Sequence, residues 1–126
     1  MKTEEASPLK SEEVYFEFTT KDPGALNRFY GKQLGFKTYP GGDVYIQVVL
    51  GHHKLTGFRK DPNAPADAAR FYIHVQDVES ARKRLEELGL NPTPISKENW
   101  GHPATEIRDP EGRMLVFTKQ EEGNND

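Results

Sequence analysis

Trp100 to Arg113, WGHPATEIRDPEGR, gathers one Trp, one His, three acidic residues and two Args into fourteen positions. An imidazole beside carboxylates suits metal ligation or proton transfer, because both groups offer lone pairs and can exchange protons. The same composition also suits a plain strand–turn–strand connection. Elsewhere the residues able to do chemistry are sparse. Glu17 and His74 are the pair suited to general acid/base work, and Glu17, His74, His102 and Glu106 are the side chains from which a metal site would be drawn. No two of these four stand at the spacing of a metal-binding motif. His52 and His53 fall in a turn, where solvation is the simpler reading. There is no Cys, hence no thiolate ligand, disulfide or cysteine nucleophile, and packing alone must hold the fold.

Composition narrows the function classes. Net charge is −3 with both signs interspersed, which excludes the basic stripe a nucleic-acid partner would need. No apolar run is long enough to span a membrane. The acidic start MKTEEASPLK has no apolar centre and does not read as a signal peptide, so a cytoplasmic location is expected. Leu, Ile, Val and Phe make up only about a fifth of the chain. Both ends are polar, and residues 1–11 and 120–126 read as disordered tails around one domain, 12–119.

The elements that must position these side chains repeat one plan. In Glu12–Thr20, Phe16 and Phe18 share one face while Tyr15, Glu17 and Thr19 share the other. Asp22 is a good helix cap, Pro23 fits the first helical position and Gly35 is a stop, with Leu26, Phe29, Tyr30 and Leu34 on one stripe. Three short strands follow as far as Lys60. The plan then restarts. Phe71, Ile73 and Val75 alternate with Arg70, Tyr72 and His74, Asp77 caps a second helix with Val78, Ala81, Leu85 and Leu88 on its stripe, and Gly89 stops it. Leu90–Ile95, His102–Asp109 and Arg113–Lys119 are the last expected strands, with Trp100 and Gly101 starting the second of them. A type I turn, Asp109 to Gly112, joins the final two. Asp22 and Asp77 lie 55 residues apart and Gly35 and Gly89 lie 54 apart, so the chain reads as paired modules, 12–60 and 69–119, joined by the linker 61–68.

With FY at Phe29 and Tyr30, LGF at Leu34 to Phe36, HVQDVESARKRLEELG, and WG at Trp100 ahead of DPEG, the chain resembles the vicinal oxygen chelate superfamily. This superfamily includes glyoxalase I, bleomycin resistance proteins and extradiol dioxygenases. The resemblance covers roughly Glu12 to Lys119. It implies an α+β fold of two βαβββ modules whose curved mixed sheets enclose a cavity, and a homodimer that pairs modules between chains. It also implies four metal-ligand positions in the metal-dependent members, which fall here on Tyr15, on Thr56 or Gly57, on Arg70 and on Val116. Arg70 is a cation and Val116 has no lone pair, and a slip of one residue lands on Phe71 and Leu115. No metal at these positions and no cofactor are therefore expected.

If Tyr15 and Arg70 face the cavity, alternation sends Glu17, Tyr72 and His74 the same way, and the polar sides of the later strands add Gln47, Glu106 and Arg108. With Trp100 near a rim, the expected ligand-binding set is Tyr15, Glu17, Gln47, Arg70, Tyr72, His74, Trp100, Glu106 and Arg108. Each has a plainer reading. Glu17 and Arg70 could form an ion pair between the modules, His74 could be a structural histidine, the Tyr rings could fill space, and Trp100 could be a packing anchor. The expected function is metal-independent binding of a small organic ligand. The alternatives are a lyase, isomerase or dioxygenase using a displaced metal or a His74/Glu17 pair, and a degenerate dimeric scaffold.

Overall fold

The first βαβββ module is built outward from the alternation around Phe18. Strand β1 (Phe16–Thr20) lies parallel to β4 (Leu55–Lys60), pairing from Phe16↔Thr56 to Thr20↔Lys60. A parallel pair needs a crossover, and the helix together with β2 (Thr38–Pro40) and β3 (Tyr45–Val49) supplies it. The sheet order is β1-β4-β3-β2. The second module repeats it as β5-β8-β7-β6, with β5 (Arg70–His74), β6 (Ser96–Asn99), β7 (His102–Arg108) and β8 (Met114–Thr118). This is the α+β architecture of two mixed four-stranded sheets that the family resemblance implied. The structure is a computed structural model describing residues 8–9, 15–50, 55–65 and 67–119, with the backbone alone at Leu55, Glu98 and Asn99. Most of both expected tails, and His52 and His53 with them, lie outside the described residues.

Both helices start where local chemistry says they should. Asp22 caps α1 (Pro23–Leu26) by accepting from the Ala25 amide at 3.1 Å, and Pro23 occupies the first turn. Asp77 caps α2 (Val78–Glu87), accepting from the Glu79 amide and from the Ser80 hydroxyl. That hydroxyl bond is the main reason the Asp77 carboxyl is held below its ordinary range. Gly35 and Gly89 end the two helical segments at φ 81° and 80°, a conformation that costs a side chain-bearing residue free energy. One feature has no counterpart in the sequence pattern. Beyond Leu26 the first helix continues as a π-helix, Asn27–Gln33, with the Leu34 amide reaching back to the Phe29 carbonyl at 2.9 Å.

Three expectations are corrected. Leu90–Ile95 is not a strand, because Pro92 and Pro94 remove amides from any ladder, and the strand begins later, at Ser96. Trp100 and Gly101 do not start β7. They form the two-residue turn between β6 and β7, both at positive φ, the backbone that suits a tight hairpin. Phe16, which alternation puts with Phe18 on the side expected to face the helices, stays 64% exposed at the first position of β1.

The core lies between the sheets and the helices. Leu26, Phe29 and Tyr30 from the first helix and Leu85 from α2 join Ile46, Val48, Phe58, Ile107, Leu115 and Phe117 in one cluster. Tyr30 stacks on Phe58 at 5.9 Å, and the Phe18 ring meets the edge of Phe71 at 5.6 Å, so the two modules share this core. A buried polar group crosses the same junction. Arg113, only 3% exposed, pairs with Asp109, Glu111 and Asp67, donates to the Thr19 carbonyl, and lies 4.9 Å from the Phe58 ring centre. Burial alone would lower its pKa, but the hydrogen bond and charge of Asp109 outweigh that and the net shift is upward.

Candidate functional site

Strand register decides which side chains share a face, since directly paired residues point the same way. On the first sheet, Glu17, Gly57 and Gln47 form one row, and Thr19, Arg59 and Tyr45 the next. On the second sheet the rows are Arg70–Met114–Arg108, Tyr72–Val116–Glu106 and His74–Thr118–Ala104. The opposite faces carry Phe18, Ile46 and Phe58, and Phe71, Ile73, Leu115 and Phe117, which belong to the core. Seven of the nine expected site residues therefore lie on the faces away from the core, as alternation required, but split between two sheets. Tyr15 just precedes β1, and Trp100 sits in the turn before β7.

The first sheet's polar face is closed by its own contacts. Glu17 accepts two hydrogen bonds from Arg59, at 2.8 and 3.0 Å. These bonds, and then the guanidinium charge, hold its carboxyl below the ordinary range. The alternative Glu17–Arg70 pair does not form, because each residue has an oppositely charged neighbour on its own sheet, Arg59 for Glu17 and Glu106 for Arg70. A carboxylate so engaged is also a poor general base, which weakens the His74/Glu17 pairing. Arg59 was missed from sequence, although it lies two residues from Gly57 on β4 and so on the same face. Tyr45 lies over Gly57, so a Cβ there would overlap its hydroxyl and come within 2.9 Å of Cζ. Gln47 donates to the Tyr45 hydroxyl at 3.4 Å, and Tyr15, just before β1, is 56% exposed.

The second sheet carries a groove of about 650 Å³ lined by Arg70, Tyr72, Thr93, Pro94, Ile95, Ser96, Trp100, Ala104 and Glu106. Four of the expected residues, Arg70, Tyr72, Trp100 and Glu106, thus meet in one place. His74 stands at the far end of β5 beside Thr118, and Arg108 turns to the Gly112 carbonyl at 3.2 Å, so neither lines it. Arg70 and Glu106 approach to 3.6 Å across the middle strand, with side chains 48% and 30% exposed. Beneath them Val116 is only 1% exposed. Trp100 is 88% exposed at φ 55°, against its reading as a packing anchor. The wall from Thr93 to Ser96 was missed. Its signal was Pro92 and Pro94, which hold that segment out of the sheet and beside β7, where the Thr93 amide still reaches the Glu106 carbonyl at 3.1 Å.

The side chains at the superfamily's metal-ligand positions do not fit a divalent ion. The second position faces outward as Gly57, which has no side chain and is overlain by Tyr45, while Arg70 is cationic and Val116 is apolar. Among the described residues no group of three His, Asp or Glu is placed to hold a metal. No helix among them is long and apolar enough to cross a membrane.

A family model described as a glyoxalase-like domain matches residues 13–118. Among solved structures, a bleomycin-binding protein complexed with bleomycin superposes with a TM-score of 0.70 at 15% identity, covering 88% of this chain and 100% of that one. Lactoylglutathione lyase from Agrobacterium tumefaciens gives 0.72 at 14% identity, covering 94% and 100%. A member of the glyoxalase/bleomycin resistance protein/dioxygenase superfamily from Sphaerobacter thermophilus gives 0.69 at 20% identity, covering 87% and 98%. At these identities the likeness is one of fold. No curated protein matches the chain.

Proposed function

We propose that this chain, which belongs to the glyoxalase-like domain family of the vicinal oxygen chelate superfamily, is a metal-independent binder of a small organic ligand. The observation that carries this reading is the groove on the second sheet, where Arg70, Tyr72, Trp100 and Glu106 converge around a drug-sized volume. Tyr72 and Trp100 offer aromatic faces, and Arg70 and Glu106 offer charge. The donor chemistry of Tyr15, Gly57, Arg70 and Val116 adds the second support, since a metal-centred reaction would have nothing to hold its ion there. One structural relative carries bleomycin and another is named a lyase. The site in hand favours the first kind of role.

A homodimer belongs to the same proposal. Tyr15 and Tyr72 are 56% and 49% exposed on the polar faces of their sheets, and a second copy laid over those faces would cover both rings and deepen the groove. The expected location remains cytoplasmic.

The deciding experiment is a thermal-shift and calorimetric screen of metabolites and antibiotics, bleomycin among them, run with and without a chelator. A hit that survives chelation and is lost in Trp100→Ala or Tyr72→Ala supports the reading. Binding or turnover that needs added Mn, Fe, Ni or Zn overturns it.

A further inference from the structure

We infer that the groove on the second sheet selects an anionic ligand, a carboxylate on an aromatic or apolar body, and that Arg70 is the group that takes it. The inference rests on the binding reading above. It comes from comparing the two ion pairs that the polar faces carry at related places.

On the first sheet the pair is complete. The Arg59 guanidinium meets both oxygens of Glu17 in the two-bond fork that suits a carboxylate, at 2.8 and 3.0 Å. Its partners sit on adjacent strands. On the second sheet the partners sit on β5 and β7 with β8 between them, so each side chain must lean across a full strand. They reach 3.6 Å, an ion pair without a hydrogen bond. Among the described residues the Arg70 guanidinium therefore makes no hydrogen bond, and it stands 48% exposed in the wall of the groove. A planar two-oxygen anion is the partner that geometry satisfies.

The sign of the face agrees. Among the described residues of this face the charges are Arg70 and Glu106, which line the groove, and Arg108, which flanks Met114 opposite Arg70 outside the lining. One cation is in excess among these described residues, although the whole chain carries −3. Tyr72 adds a hydroxyl donor and Trp100 an indole N–H to the lining. Glu106 becomes the displaceable partner, holding Arg70 in place until a ligand carboxylate replaces it.

The test uses three probes on one tolyl body, 4-methylbenzoate, its planar isostere 4-methylbenzamide and the cationic 4-methylbenzylammonium, titrated into the full chain. It follows the indole resonance of Trp100, the one Trp in the sequence, and the Arg70 Nε–H in nitrogen-15 spectra. The benzoate is expected to shift both resonances and to bind at least about tenfold more tightly than the amide, as a charge-assisted pair requires. Arg70→Gln is expected to abolish that preference and Glu106→Gln to strengthen benzoate binding, both with unchanged backbone spectra. Equal binding of acid and amide, or indifference to Arg70→Gln, overturns the charge assignment while the groove reading stands. Preference for the ammonium, lost in Glu106→Gln, overturns it in favour of a cationic ligand. If no probe in this trio or in the wider screen moves the Trp100 resonance, the groove reading itself falls and the inference with it.

Discussion

The Tyr30 hydroxyl donates to the Asp109 carboxylate at 2.8 Å, joining two residues 79 positions apart, both buried. Asp109 also pairs with Arg113 at 3.1 Å and accepts the Glu111 and Arg113 amides on its other oxygen. One carboxylate thus ties the first helix to the last turn and the final strand.

Removing one member should cost in proportion to what is left unpaired. Tyr30→Phe deletes a single donor and is expected to cost about 1 to 3 kcal/mol. Arg113→Met strands the Asp109 charge in the core and is expected to cost about 3 to 5 kcal/mol. Urea unfolding midpoints measure both, and a larger loss in Tyr30→Phe than in Arg113→Met would contradict the ordering.

Alkaline stability should respond to the same hydroxyl. Burial first, then the charge and hydrogen bond of Asp109, push the Tyr30 pKa far above its ordinary value. The unfolded chain releases this proton above about pH 10 while the folded chain keeps it. The contribution is fully present below that pH and is lost as pH rises beyond it, with a slope of up to about 1.4 kcal/mol per pH unit. Urea midpoints at pH 9 and 11 should therefore fall less in Tyr30→Phe than in the unaltered chain.

Gly57 and Tyr45 should behave as a coupled pair. Gly57→Ala forces the Tyr45 ring off its place over the strand and away from Arg59, 5.3 Å from the ring centre. The cost should be about 1 kcal/mol, at the low end for overpacking because the tip of a mobile side chain gives way. In a Tyr45→Ala background the same change should be nearly free, and a double-mutant cycle reads the coupling.

Trp100 sets stability against binding. Its φ of 55° suits Asn or Gly and strains an aromatic residue. Trp100→Asn is expected to leave stability unchanged or raise it by about 0.5 to 1 kcal/mol, while removing an aromatic wall of the groove. Calorimetric melting and probe binding should move in opposite directions.

Sequence pattern reached what is local. The helix caps at Asp22 and Asp77, the stops at Gly35 and Gly89, and the two-faced alternation of β5 depend on near neighbours, and the structure has them. Partner choice across strands was not legible. Whether Glu17 meets Arg59 or Arg70 depends on register set by turns, and several registers satisfy the same alternation. Asp109 was read as a turn former, which it is. That it also receives Tyr30 depends on a tertiary approach that no spacing encodes. Trp100 was misplaced for a related reason, since the prolines at 92 and 94 delay the strand and move the hairpin turn onto it.

The π-helix explains a discrepancy in the repeat. From cap to stop, Asp22 to Gly35 takes thirteen steps and Asp77 to Gly89 takes twelve. A loop would have absorbed the surplus residue by bulging. Here wider hydrogen-bonded rings over Asn27–Gln33 absorb it within the helix. Both ends keep their relation to the sheet, and Phe29 and Tyr30 still reach the core. The two modules have diverged in helical pitch while keeping the same strand order.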